Sequence, residues 1–219
     1  MQNLKSGSKN KTLQISCDGG AATGKSTGAK MISKKYKLKF LSSGLLYRYA
    51  GYLILRNKPK NIFNHIEDNF KKLNYKKLEK MKLHTQSISS MSAKIAKIKG
   101  VGKILKNYQL DFVKKYKNCC IEGRDISTNI LPNSDVKFYF VCNLNKASIR
   151  RYRELKKLNS KINLNDVKKA LRSRNISDIK RKNSPLLKYR DSVVIDTGKL
   201  SKKSMLAKMI RRVEKVLKQ

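Results

Sequence analysis

Carboxylates are scarce in this chain. Fourteen Asp and Glu face 53 Lys and Arg over 219 residues, a net charge of +39 at pH 7. There is no Trp, and three Pro and 11 Gly are too few for a collagenous or proline-rich linker protein. No apolar run approaches the roughly 20 residues needed to cross a bilayer, which excludes a spanning helix. Four cysteines, Cys17, Cys119, Cys120 and Cys142, lack the paired CxxC spacing of a zinc site and have only two histidines for company. They fall in the runs TLQISC, NCCIE and FYFVC, which read as buried strands, where cysteine acts as a small hydrophobe. The first 11 residues carry basic groups with no apolar stretch behind them, so they read as a disordered basic tail rather than a secretory signal. Together these features fit a cytoplasmic protein.

The charge allows two readings. A field of this size attracts polyanions, nucleic acid or anionic lipid among them. Alternatively, Lys has accumulated on the surface as compositional bias, and its even spread along the chain favours that view.

Short β-type runs alternate with longer helical stretches, which argues for βαβ units and a parallel sheet. Strands are expected at 12–17, 38–42, 119–122, 136–142 and 192–196, making a five-stranded parallel sheet flanked by helices. Residues 86–116 suit helix, with apolar Ile88, Met91, Ile95, Ile98, Ile104, Leu105, Tyr108 and Phe112, broken at Gly100 and Gly102. A final amphipathic helix runs from an expected N-cap at Ser201 to Leu217. One α/β domain over 12–219 is expected, with an insert at about 61–116 and an arginine-dense segment at about 150–185.

Polar clusters follow several of the strands. After the first comes Gly19-Gly20-Ala21-Ala22-Thr23-Gly24-Lys25-Ser26, then Thr27: a complete P-loop between a strand and a helix. Glycines let backbone N–H groups curl around phosphates, and the helix start adds its positive end. Lys25 would reach the β- and γ-phosphates and Ser26 would give its hydroxyl to Mg²⁺. After the second strand lie Ser42, Ser43 and, one helical turn on, Arg48, which could hold a second anion. After the third come Glu122, Gly123, Arg124 and Asp125. Glu122 could hold Mg²⁺ through water, Arg124 could clamp phosphate, and Asp125 could accept from an amino group or a sugar. The arginine-dense segment holds Arg150 and Arg151, then Arg174, Asp178 and Arg181 at helical spacing, ending at Ser184-Pro185-Leu186. Arginines brought over a transferring phosphoryl group would stabilise its oxygens.

In order and spacing, DGGAATGKST, SSGLLYR, EGRDIST, RRYREL, RSRNISDIKRKNSPL and DSVVIDTGKLS resemble the bacterial cytidylate kinases, the CMP/dCMP kinases of the nucleoside monophosphate kinase group. The resemblance runs from about Thr12 to the C-terminal helix. It implies the P-loop kinase fold with an acceptor-binding insert and an Arg-rich lid, and transfer of phosphate from ATP to CMP and dCMP in pyrimidine nucleotide metabolism, by a monomer. Gly24, Lys25, Ser26 and Thr27 would hold the ATP phosphates and Mg²⁺, and Ser43 and Arg48 would belong to the acceptor site. Arg48 and Arg124 would lie near the acceptor phosphate, and Asp125 would help read the cytosine. Arg174, Asp178 and Arg181 would contact acceptor sugar and phosphate, with Arg150 and Arg151 at the lid base. The chain departs from the family pattern at Ser42 and Asn175, where Asp is usual, and at Ser127, where Gly is usual. Ala93 and Gly102 stand where the family offers Ser and Arg to the base, with Ser92 and Lys103 adjacent. Other readings are a P-loop kinase for UMP or a non-nucleotide acceptor, and a basic nucleic-acid-binding protein with poor turnover.

Overall fold

In the computed structural model, residues 12–98, 100–157 and 161–218 are described; the expected basic tail lies outside them. Five parallel strands form one sheet: β1 (Gln14–Gly19), β2 (Lys39–Ser42), β3 (Cys119–Gly123), β4 (Val136–Val141) and β5 (Val193–Asp196), in the order β2-β3-β1-β4-β5. All five expected strands are present. Their carboxyl ends converge through the registers Ser42 with Glu122, Asp18 with Gly123, and Val141 with Asp196. The chain leaves β1 for β2 on one side and later adds β4 on the other, so β1 marks the switch point where open α/β sheets bind ligands.

The helices are α1 (Lys25–Lys35), α2 (Ser43–Asn57), α3 (Ile62–Lys71), α4 (Tyr75–Glu79), α5 (Gln86–Ile95), α6 (Val101–Lys115), α7 (Leu144–Lys156), α8 (Leu164–Lys180) and α9 (Lys202–Leu217). A short π-helical turn, Ile126–Ile130, follows β3. Hydroxyl and amide caps set several helix starts: Ser42 for α2, Asn61 for α3, Thr85 for α5 and Ser201 for α9 each accept the amide of the residue three ahead. Of the two glycines expected to break the helical stretch 86–116, Gly100 lies between α5 and α6, as the N-cap of α6, and its φ of +91° suits glycine. Gly102, the other, lies inside α6. Ile98, expected on the apolar face, falls past the end of α5 and is exposed.

Two cores sandwich the sheet. On one face Leu13, Ile15, Ile32, Phe138, Phe140, Met205 and Met209 pack beneath α1 and α9. On the other, Leu41, Leu46 and Ile121 join α2, α3, α4, α5 and α6, so these helices share a core with the sheet. Helices α7 and α8 have a small core of their own, Leu155, Val167 and Leu171, closed by Ala21 of the P-loop. Cys17, Cys119 and Cys120 are fully buried strand residues as expected; Cys142 lies one residue past β4 and is half-buried. Among the described residues, no helix is long and apolar enough to cross a membrane.

The α1–β4 contact is tight. A Cβ on Gly28 would lie 2.7 Å from two ring carbons of the fully buried Phe140. Gly28→Ala is therefore expected to destabilise the fold by about 1–3 kcal/mol through overpacking, although Ala is the better helix former by about 1 kcal/mol. Urea unfolding measures it; a stability equal to or above wild type would contradict the packing argument.

Candidate active site

The P-loop is shaped by its own hydrogen bonds. Gly24 adopts φ +79° at the N-cap of α1, and Thr23 Oγ1 donates to the Gly20 carbonyl at 3.0 Å. Thr197, just past β5, donates Oγ1 to the Thr23 carbonyl at 2.8 Å. Arg150 holds Thr197 in turn, with Nη1 at 2.9 Å from its hydroxyl and Nη2 at 2.6 Å from its carbonyl. Lys25 Nζ lies 3.4 Å from the Gly20 carbonyl and 3.5 Å from Glu122 Oε2. Ser26 Oγ donates to Glu122 Oε1 at 3.0 Å, and Ser42 Oγ donates to the same oxygen at closer range. Three strand ends thus meet at one carboxylate.

The electrostatics are set by burial. Desolvation would raise the Glu122 carboxyl, but Lys25, the Ser42 hydroxyl, Arg124 and Ser26 outweigh it and hold the group below the usual carboxylate range. Glu122 is therefore an ionised, buried anion. Lys25 pays the opposite way: burial first, then Arg124, pull its ammonium down to about 8 despite Glu122.

Opposite the P-loop the site is cationic. Arg124 Nε donates to Asp178 Oδ2 at 2.7 Å, and Arg174 Nε lies 4.0 Å from the same oxygen. These arginines outweigh desolvation and hold the Asp178 carboxyl below its usual value. Arg181, just past the end of α8, lies 3.5 Å from Asp125 Oδ1, and Asn129 Nδ2 donates to Asp125 Oδ2 at 3.1 Å and to Ser184 Oγ at 3.0 Å. Arg48 and Arg174 are less well matched: the Nε of each is buried without an acceptor. Burial, with Arg151 and Arg124 as neighbours, pulls Arg48 toward about 10; burial and Arg124 pull Arg174 toward about 9. A guanidinium in that position is a cation short of negative charge, and an arriving anion relieves it.

One cleft of about 1520 Å³ joins the two halves. It is lined by Ala21 to Thr27, Ser43, Arg48, Glu122, Gly123, Arg124 and Asp125, and from the other side by Arg150, Arg151, Arg174, Asp178 and Arg181. Pockets for one small ligand run to roughly 300–1,000 Å³, so this one has room for two. Gly19 and Gly20 are not among its lining residues: Gly19 is the last residue of β1, and a Cβ on Gly20 would meet Asn175. Arg150 and Arg151 point apart, Arg150 to Thr197 and Arg151 to Glu154, the His84 carbonyl and Ser89.

The sequence model of the cytidylate kinase family matches residues 15–215. Curated cytidylate kinases from Bartonella tribocorum and Fusobacterium nucleatum are 32% and 31% identical over 213 residues, covering 95% and 92% of this chain and 97% of each relative. The chain belongs to the cytidylate kinase family. Among solved structures, an uncharacterised protein from Eubacterium ventriosum aligns with a TM-score of 0.56 at 13% identity, covering 94% of this chain and 99% of that one. Shikimate kinase from Bacteroides thetaiotaomicron aligns at 0.50 and 12%, covering 95% and 100%. Both likenesses are of fold.

The departures from the cytidylate kinase pattern have visible partners. Ser42 caps α2 and donates to Glu122, so a single carboxylate occupies this corner. Ser127 donates its amide at 2.8 Å and its hydroxyl at 2.6 Å to Asp18, which also accepts the Ile126 amide at 2.8 Å. Asn175 Oδ1 accepts the Ala21 amide at 2.9 Å, tying α8 to the P-loop. Asp18 carries a signal in the sequence, a charge closing an apolar strand run beside a P-loop, but its role appears only in the structure. Its carboxyl is pushed up by burial against the pull of Ser127 and Ile126, and it fixes the turn that carries Arg124 and Asp125.

Lys25 gives a pH test. An unfolded lysine keeps its proton to about 10.4, whereas the folded one releases it near 8. Between these values the unfolded chain binds more protons, so stability from this residue rises with pH. Relative to Lys25→Met, the ligand-free wild type is expected to gain on the order of 1–3 kcal/mol from pH 8 to 10 in denaturant melts. A constant difference across that window would contradict the depressed value.

Proposed function

We propose that the protein transfers the γ-phosphoryl group of ATP to CMP and dCMP, giving ADP and CDP or dCDP. The observation that carries this is a single cleft with a P-loop at one end and, facing it, two buried arginines whose Nε atoms have no acceptor. Such a cleft suits two phosphorylated ligands held head to head.

In this reading the backbone from Ala21 to Thr27 and the Lys25 ammonium cradle the ATP phosphates. Ser26 and Glu122 fit a Mg²⁺ ion: both are hard oxygen donors, 3.0 Å apart, and the carboxylate is held ionised. Among the described residues no cluster of three carboxylate, His or Cys ligands forms a cage, which suits an ion otherwise held by water and substrate phosphates. Mg²⁺ would supply charge neutralisation at the β- and γ-phosphates. Ser43, Arg48 and Arg124 take the acceptor phosphate, and Arg174 and Arg181, steadied by Asp178 and Asp125, bridge it to the transferred group.

An acceptor phosphate is already ionised, so no general base is required. Its oxygen attacks the γ-phosphorus, the bond to the β,γ-bridging oxygen breaks, and ADP leaves with that electron pair. Catalysis is then positioning and charge stabilisation by Lys25, Arg124, Arg151, Arg174 and Arg181. Arg150 acts indirectly, steadying the P-loop through Thr197. Helices α7 and α8, with their own small core, form the lid whose closure excludes water. All these groups come from one chain, so a monomer carries the complete set. Four free thiols suit a reducing compartment such as the cytoplasm.

ADP release with ATP, Mg²⁺ and each of CMP, dCMP, UMP and AMP tests the reading. CMP and dCMP are expected to be turned over in preference to UMP and AMP, and Lys25→Ala is expected to lose about 10²–10³-fold or more. ADP release that no nucleoside monophosphate stimulates would overturn the proposal.

A further inference from the structure

One buried polar group at the acceptor end is used by none of the roles above. Gln109, on α6, is 3% exposed and belongs to the wall of the cleft. Its Nε2 donates to the Leu105 carbonyl at 3.0 Å, one turn back. Its Oε1 is buried and accepts from nothing. The amide cannot be assigned the other way round, since that would set Oε1 against the Leu105 carbonyl, acceptor on acceptor. A buried acceptor without a donor is costly, and such an exception calls for an explanation.

Its surroundings indicate what kind of donor is missing. Gly102, Lys106 and Gln109 recur at helical spacing and lie on one face of α6, and all three line the cleft. A Cβ built on Gly102 would meet nothing closer than the Tyr47 hydroxyl, 4.0 Å away, so there is open space beside it. Lys106 Nζ donates to Asn129 Oδ1 at 2.5 Å, which faces this stripe toward the turn carrying Asp125. Both Asp125 oxygens already face donors, from Arg181 and Asn129. Among the buried side-chain acceptors of the described residues at this end, the unmatched one is Gln109 Oε1.

We propose that Gln109 Oε1 accepts a hydrogen bond from the exocyclic amino group of the acceptor's cytosine ring and thereby selects cytosine over uracil. This rests on reading the cleft as a pyrimidine monophosphate site. Cytosine presents an amino donor where uracil presents a carbonyl oxygen. Uracil in the same pose sets oxygen against oxygen, and Gln109 cannot invert its amide to suit without surrendering the Leu105 bond. The preference therefore follows from a helix hydrogen bond that locks the side chain in one orientation.

The test compares kcat/KM in wild type and Gln109→Met for CMP, UMP and the monophosphate of pyrimidin-2-one riboside, which is CMP without its amino group. Wild type is expected to use CMP about 10–100-fold better than the analogue. In Gln109→Met, CMP is expected to fall to the analogue's level, with UMP and the analogue little changed and the melting temperature held. An unchanged ratio of CMP to analogue, or equal losses on all three acceptors, overturns the assignment. Should Gln109→Met fail to fold, Gln109→Asn withdraws the same oxygen by one methylene and is read in the same way. A wild type that prefers UMP, or uses no pyrimidine monophosphate, refutes the functional reading itself and this inference with it.

Discussion

The constraint on which the site depends is a shortage of negative charge. Lys25, Arg48, Arg124, Arg151, Arg174 and Arg181 line one cleft at the carboxyl ends of the strands, where Glu122, Asp125, Glu154 and Asp178 are the carboxylates beside them, Glu154 being paired with Arg151. Asp178 is shared between Arg124 and Arg174, and Glu122 is already occupied by Lys25, Ser26 and Ser42. What remains is a set of partly desolvated cations, two of them with an orphan Nε. Like charges held this close in a low-dielectric setting repel, and the fold bears that cost because the sheet and its two cores support it from behind. The missing anions are what phosphorylated ligands bring. Affinity and catalysis then share one origin in the proposed reaction, since the arginines short of an acceptor are those that would meet the transferring phosphoryl group.

The positioning of these cations rests on hydrogen bonds between distant parts of the chain. Asp18 in β1 secures the turn after β3, which carries Arg124 and Asp125. Arg150 in α7 steadies Thr197 after β5, and Thr197 steadies the P-loop. Asn175 in α8 accepts the P-loop amide of Ala21, so α8 is tied directly to the P-loop. In each case a polar side chain from one element satisfies the backbone of another, which is how buried polar groups fix a single arrangement.

Much of this was legible in the sequence because it is local. A P-loop is contiguous, and strands announce themselves as apolar runs bounded by glycine and polar residues; all five were placed, with boundaries shifted by one or two residues. Arg48, Glu122, Arg124, Asp125, Arg174, Asp178 and Arg181 stand out by their charge in a repeating strand–helix context, and the structure brings all of them into one cleft. What could not be read was contact between remote residues. Asp18 looks like a strand terminus until the turn after β3 is seen to rest on it. Arg150 and Arg151 are adjacent in sequence, yet they face different partners because helix geometry turns successive side chains by roughly 100°. Gly102 reads as a break, because glycine in a helix carries no mark of whether it ends the helix or makes room beside it; the structure keeps it inside α6. Gln109 is an ordinary polar residue in an amphipathic helix, and its importance appears only when its oxygen is found buried without a partner.

Direct binding tests the charge argument most simply. Calorimetric titration of the nucleotide-free protein with CMP, and separately with cytidine, isolates the phosphate. If the unmatched arginines await that phosphate, CMP binds about 100-fold or more tightly than cytidine, as expected for two or more charge-assisted hydrogen bonds, and the gap narrows as salt is raised. Equal affinity for CMP and cytidine, at any ionic strength, would contradict the account.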